Sequence, residues 1–155
     1  MEWISSFSRR EKVAIYCSDV AGAFDRVSSK RLLDKLRKEG VHFRIIDIIA
    51  PWLGTRQANV VVGGAKSETF LLSDMVFQGT VLGPILWNLF FGDAHFAIRL
   101  AKFTEMMFAD DLQAYRSFPQ SVPNGTILRC AKNCQVRLHE WGRANQVALI
   151  RVKNQ

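Results

Sequence analysis

Long hydrophobic runs are missing from this sequence. Its densest apolar stretch, Val81 to Phe91, is broken by Gly83, Pro84 and Asn88, well short of the roughly 20 apolar residues that span a bilayer as a helix. The N-terminus carries Glu2 and then Ser5 to Arg10, without the apolar core of a secretory signal. Nothing directs the chain out of the cell, so an intracellular site, cytoplasm or nucleus, is expected, with no membrane partner. Cysteine is scarce and odd in number: Cys17, Cys130 and Cys134 do not make a disulfide framework. Cys130, Cys134 and His139 have no fourth neighbour, whereas zinc sites usually need four ligands, so helical core thiols are the better reading. Acid is also under-supplied, with 14 Asp+Glu against 21 Lys+Arg, a net charge of +7 and a pI of about 9.7. Such a balance suits a polyanion. Nucleic acid ranks ahead of a membrane surface, because no Lys/Arg-rich amphipathic segment with large apolar residues stands out. Repeats, low-complexity tracts and linkers are absent as well.

What remains is enough for a folded domain. The 155 residues, 17.6 kDa, are 48% hydrophobic and 23% charged, which excludes a disordered chain and gives one domain with a real core. Val13 to Cys17 reads as a buried strand ending in Ser18-Asp19, followed by a bend around Gly22. Ser28 or Ser29 caps a helix with Leu32, Leu33 and Leu36 on one face, stopped by Gly40. Phe43 to Ile49 is a second apolar helix, ended or kinked at Pro51. Ala58 to Val62, Gly63-Gly64 and Glu68 to Leu72 read as a β-hairpin. The flexible Gln78-Gly79-Thr80 loop precedes Gly83-Pro84, and Pro84 starts an apolar, buried helix running to about Leu100. Thr126 to Arg143 is a last helix and Val147 to Val152 a last strand. This order predicts an α+β fold, an antiparallel sheet with helices on one face.

The stretch around which the chain is organised is Thr104 to Arg116, TEMMFADDLQAYR. Two short strand-like runs flank Asp110 and Asp111, as in a hairpin with acids at its tip. Adjacent carboxylates repel, each disfavouring ionisation of the other, and a divalent cation relieves both. An ordinary exposed turn carries Asp-Asp just as readily. A third acid, Asp19, closes the Val13 strand. If that strand neighbours the hairpin, Asp19 and Asp110 lie side by side at one edge.

Four stretches together resemble the reverse transcriptase palm of non-LTR retrotransposons: Tyr16 to Ser28 (YCSDVAGAFDRVS), Phe77 to Phe91 (FQGTVLGPILWNLFF), Phe108 to Leu112 (FADDL) and Leu138 to Asn145 (LHEWGRAN). They occur in the family's order and are spread over most of the chain, from residue 16 to residue 145. The resemblance implies a polymerase palm over residues 1–155, an RRM/ferredoxin-like antiparallel sheet backed by helices. Fingers, thumb and endonuclease regions would lie elsewhere in a larger parent polyprotein. It implies an RNA-directed DNA polymerase that uses an RNA template, a DNA primer and deoxynucleoside triphosphates. The cofactor implied is Mg2+, two ions, with Mn2+ as substitute. Two such ions serve both attacking and leaving oxygens of nucleotidyl transfer, held by hard carboxylate oxygens.

Carried onto this sequence, the resemblance implies that Asp19 and Asp110 bridge the metals with Asp111 beside them. Strand alternation makes the contributions of Asp110 and Asp111 unequal. Phe24 matches the family's steric gate against a ribose 2′-hydroxyl, with a core ring as the competing role. Asp25 reads as structural. Gln78 and Gly79 match the loop against the templating pair and incoming nucleotide, where glycine lets backbone approach closely. Lys153 falls where the palm carries a lysine for the leaving pyrophosphate, and is equally an exposed terminal lysine. Two departures stand out: Phe77 occupies a position that is often proline or basic, and Ile150-Arg151-Val152 replaces a more polar stretch. The alternative is a catalytically inactive remnant or an RRM-like nucleic-acid-binding fragment. A binding RRM presents aromatic rings on its sheet, whereas the matching positions here carry acids.

Overall fold

The expected first strand extends through both Ser18 and Asp19, as β1 (Lys12–Val20), in a computed structural model that describes residues 9–72 and 74–151. The bend beyond it holds Gly22 at φ 62°, a left-handed conformation cheap only for glycine, and leads into one turn of 3-10 helix, Phe24–Arg26. In α1 (Ser29–Lys38) Leu32 and Leu36 are fully buried, each contributing roughly 1.5–3 kcal/mol. Ser28 stands at the N-cap as expected, but its side chain makes no capping bond there; the Ser29 amide donates instead to Asp74 Oδ1 at 3.1 Å. Gly40, at φ 75°, ends the helix with paired bonds, Gly40 N–H to Arg37 O and Val41 N–H to Leu36 O, the Schellman arrangement.

Helix α2 (Phe43–Gly54) runs through Pro51, so of the end or kink expected there the end does not occur. Proline forfeits the bond to the carbonyl four residues back and crowds that carbonyl, which belongs to the exposed Asp47. Thr55 then closes the end, its amide and hydroxyl both donating to Pro51 O at 3.0 and 2.7 Å. The expected single hairpin is two short ladders, one nested in the other. Outer strands β2 (Gln57–Ala58) and β5 (Phe70–Leu71) pair, as do inner strands β3 (Val61–Val62) and β4 (Ala65–Lys66). Between them Asn59 Nδ2 donates to Ser67 O and Thr69 Oγ1, and Val60 N–H donates to Ser67 Oγ. Side chains there interrupt the backbone ladder.

The long helix expected from Pro84 to Leu100 is two helices, α3 (Gly83–Phe91) and α4 (Ala94–Leu100), broken at Gly92-Asp93. Glycine costs roughly 1 kcal/mol within a helix, and Asp93 sits at the N-cap of α4, accepting from Trp141 Nε1 at 2.8 Å. Strands β6 (Thr104–Phe108) and β7 (Asp111–Phe118), helix α5 (Asn124–Asn145) and strand β8 (Leu149–Arg151) complete the order. No helix among the described residues is long and apolar enough to cross a membrane.

The chain divides into two compact units, Met1–Ala21 with Gly92–Gln155, and Gly22–Phe91. The first is a four-stranded antiparallel sheet in the order β6-β7-β1-β8. Helix α5 packs on β1, and α4 packs on α5 and β6. Alternation separates the two faces: Ser18, Val20, Leu112, Ala114 and Phe118 are buried, while Ile15, Asp111 and Gln113 are exposed. One face is thus covered and the other open, the α+β layering predicted. In the second unit α1 packs on α2 and α3. Trp87 is its centre, fully buried with ring centroids 5.3 Å from Phe24, 6.2 Å from Phe90 and 5.0 Å from Phe91.

Candidate active site

The register of β1 on β7 runs from Lys12 opposite Phe118 to Ser18 opposite Leu112. Asp19 follows Ser18 and Asp111 precedes Leu112, so one further step sets these two acids across from each other on the open face. On its other side Asp19 pairs with Ile150 of β8. The buried Ser18 pins that junction from the covered face, its Oγ donating to Ile150 O at 3.1 Å. The hairpin closes at Phe108 opposite Asp111, leaving Ala109 and Asp110 as its two-residue tip. Ala109 is left-handed at φ 53°, a conformation that costs a residue with a Cβ about 1–2 kcal/mol, of the kind found at functional turns.

All three predicted acids therefore lie at one end of the sheet in one unit. The expected side-by-side pair of Asp19 and Asp110 is refined by the register: Asp111 is the residue across from Asp19, and Asp110 occupies the tip. Asp19 and Asp110 are half-buried and Asp111 is exposed. Asp19 Oδ1 accepts the Val20 amide at 2.8 Å. None of the three carries an ion pair among the described residues. Nor do three or more Asp, Glu, His or Cys side chains converge there on a common point for a metal ion. Magnesium asks for less, commonly one or two carboxylates with water and phosphate oxygens completing the shell. The carboxylates of Asp19 and Asp111 on facing strands, neither in an ion pair, fit that demand, while among the described residues a cage of three does not form.

The other predicted residues belong to the second unit or lie outside the description. Phe24 is half-buried, its ring on Trp87 and its carbonyl accepting the Val76 amide at 2.8 Å. Asp25 is exposed. Gln78 and Gly79 form an exposed turn, with Gly79 at φ 84°. Thr80 holds that turn: its hydroxyl donates to Phe77 O at 2.8 Å and accepts the Gly83 amide at 3.1 Å. A Cβ on Gly83 would stand 2.7 Å from Phe77 O, so only glycine lets α3 begin this close to the loop. Lys153 lies outside the described residues.

Several positioning features escaped the sequence. Ser18 carries no motif of its own, and the Asp93–Trp141 bond joins residues 48 apart. The Trp52 to Arg56 spacing of one helical turn was a readable signal for the guanidinium stack at the root of the 78–80 loop. Cys134 is buried, and burial pushes its thiol up to about 11, away from the thiolate that metals bind.

Sequence comparison supplies the class to which this mixed helix-and-sheet fold belongs. The chain belongs to the reverse transcriptase (RNA-dependent DNA polymerase) family, whose profile matches residues 4–146. Among individual proteins it is similar to the Retrovirus-related Pol polyprotein from type-1 retrotransposable element R2 of Popillia japonica, 28% identical over 123 residues. That match covers 73% of this chain and 20% of the relative. The chain thus spans about a fifth of the length of the curated relative it matches.

Proposed function

We propose that residues 1–155 are the palm of a non-LTR retroelement reverse transcriptase, an RRM-like sheet that adds deoxynucleotides to a primer 3′-hydroxyl on an RNA template. The observation that carries this reading is the β1–β7 register, which sets Asp19 across from the FADD hairpin on the uncovered sheet face. An uncovered face leaves room for a primer end. Asp19 and Asp110, both half-buried, are the principal carboxylates, and the exposed Asp111 is the weaker third. Asp19 and Asp110, with Asp111 beside them, would hold magnesium, which would supply neutralisation of triphosphate charge and acidification of the primer hydroxyl. Gln78 and Gly79 present backbone and an amide to the template–nucleotide pair, and Phe24 excludes a 2′-hydroxyl. Fingers and thumb are supplied by the parent polyprotein.

The inactive-remnant reading draws on one observation, the lack of a converged three-ligand group among the described residues. Two measurements separate the readings. Mn2+ binding to this chain, followed by electron paramagnetic resonance, should weaken at least tenfold in Asp19→Asn and in Asp110→Asn, and less in Asp111→Asn. With the chain substituted for the matching segment of the R2 relative, primer extension on RNA should disappear in the first two variants. Extension at the parent rate in either would remove these acids from catalysis, and no saturable Mn2+ binding by the unaltered chain would favour the remnant.

A further inference from the structure

Arg56 is a cation that the proposed chemistry leaves unused. Its guanidinium lies between two rings, 3.4 Å from the Trp52 centroid and 4.2 Å from that of Phe77. Trp52 is on the last turn of α2, and Phe77 immediately precedes the Gln78-Gly79 turn. Arg56 O accepts the Leu72 amide at 2.8 Å, fixing the backbone beneath the side chain. Three other arginines end on carboxylates, Arg9 on Glu11, Arg37 on Asp34 and Arg99 on Glu105, while Arg44 and Arg116 each lie over a single ring. Among the described residues the Arg56 fork has no acceptor at all; its contacts are the two ring faces. Stacking occupies the two faces of a guanidinium and leaves its edge, where the five N–H donors lie, directed away from both rings. A sandwiched guanidinium is held in one orientation in advance, so little side-chain entropy is lost when an acceptor arrives.

We propose that the Trp52–Arg56–Phe77 stack is a phosphate grip, with the Arg56 fork donating bidentately to a phosphodiester of the strand that lies over the 78–80 turn. Phosphate rather than carboxylate is the acceptor because the chain carries a surplus of positive charge, +7, and belongs to a nucleic-acid polymerase family. The planar fork matches two phosphate oxygens at once. Assignment of the phosphate to a nucleic-acid strand rests on the palm reading above. The grip itself does not.

The test uses the whole chain. Fluorescence anisotropy with labelled single-stranded RNA, over a KCl series, gives the slope of log Kd against log salt. Loss of one phosphate contact in Arg56→Gln should lower that slope by about 0.7 and weaken binding about tenfold for every sequence tried. Arg56→Lys, a point charge without the fork, should keep the slope and lose affinity. A parallel titration with deoxynucleoside triphosphate separates the sources: weakened triphosphate binding with an unchanged RNA slope moves the grip to the nucleotide. Unchanged binding of both ligands in a folded Arg56→Gln chain overturns the proposal. Nuclear magnetic resonance of the Arg56 Nε–H during addition of inorganic tripolyphosphate decides the matter in the native chain, whether or not the variants fold. A saturable shift supports the grip even if RNA does not bind, in which case the palm reading alone fails. No shift, with no change in RNA or triphosphate binding, overturns the grip.

Discussion

Phe24 shows how two roles compete for one side chain. As a steric gate its ring must face a sugar, yet one side of it already packs on Trp87 at 5.3 Å. Half-burial leaves the other side available, so both roles can hold at once. Phe24→Ala should therefore have two effects. Urea denaturation should register a loss of about 1–3 kcal/mol, from the ring pair and the buried part of its area. Primer extension in the R2 background should accept ribonucleotides more readily relative to deoxynucleotides. Lost stability with unchanged sugar selectivity would leave Phe24 as packing alone. The acids were legible in the sequence because Asp-Asp between two strand-like runs, with a further Asp ending a third, is a local pattern. The Phe77 side of the Arg56 stack was not, since that ring and the guanidinium come from residues 21 apart that meet only through the α2 terminus and the turn before α3.

At the scale of elements, glycine decides where segments approach. Gly142 near the end of α5 is buried; its carbonyl accepts the Val147 amide at 2.8 Å, and a Cβ on it would stand 2.7 Å from Val147 O. Gly142→Ala should push α5 away from the turn into β8 and cost about 1–3 kcal/mol, read as a lower midpoint in thermal unfolding. A variant as stable as the parent would mean the turn relaxes freely. Strands flanking the acids, α1 with its glycine stop, and the sheet with one covered face all followed from periodicity and end signals. Two elements differ from their expected form: the 84–100 helix breaks at Gly92-Asp93, and the 58–72 hairpin splits into two ladders. The first break carries a contact from outside the element, an indole on the N-cap aspartate, and the second an asparagine within the hairpin that bridges its two arms.

For the molecule as a whole, +7 over 155 residues predicts binding to single-stranded nucleic acid that depends on salt and little on base sequence. With about four phosphates contacted, affinity should fall on the order of 50-fold between 50 and 200 mM salt, measurable by filter binding. Salt-insensitive binding would place recognition in stacking instead. The order β6-β7-β1-β8 also has a consequence for the newborn chain. β1 is synthesised first yet pairs only with strands that follow the whole of Gly22–Phe91. Asp19 and Asp111 are 92 positions apart, a separation that takes about 5–20 s to translate at ~5–20 residues per second. Throughout that interval the first acid waits on an unpaired strand, so the ribosome completes the 22–91 unit before the acid-bearing end of the sheet can exist.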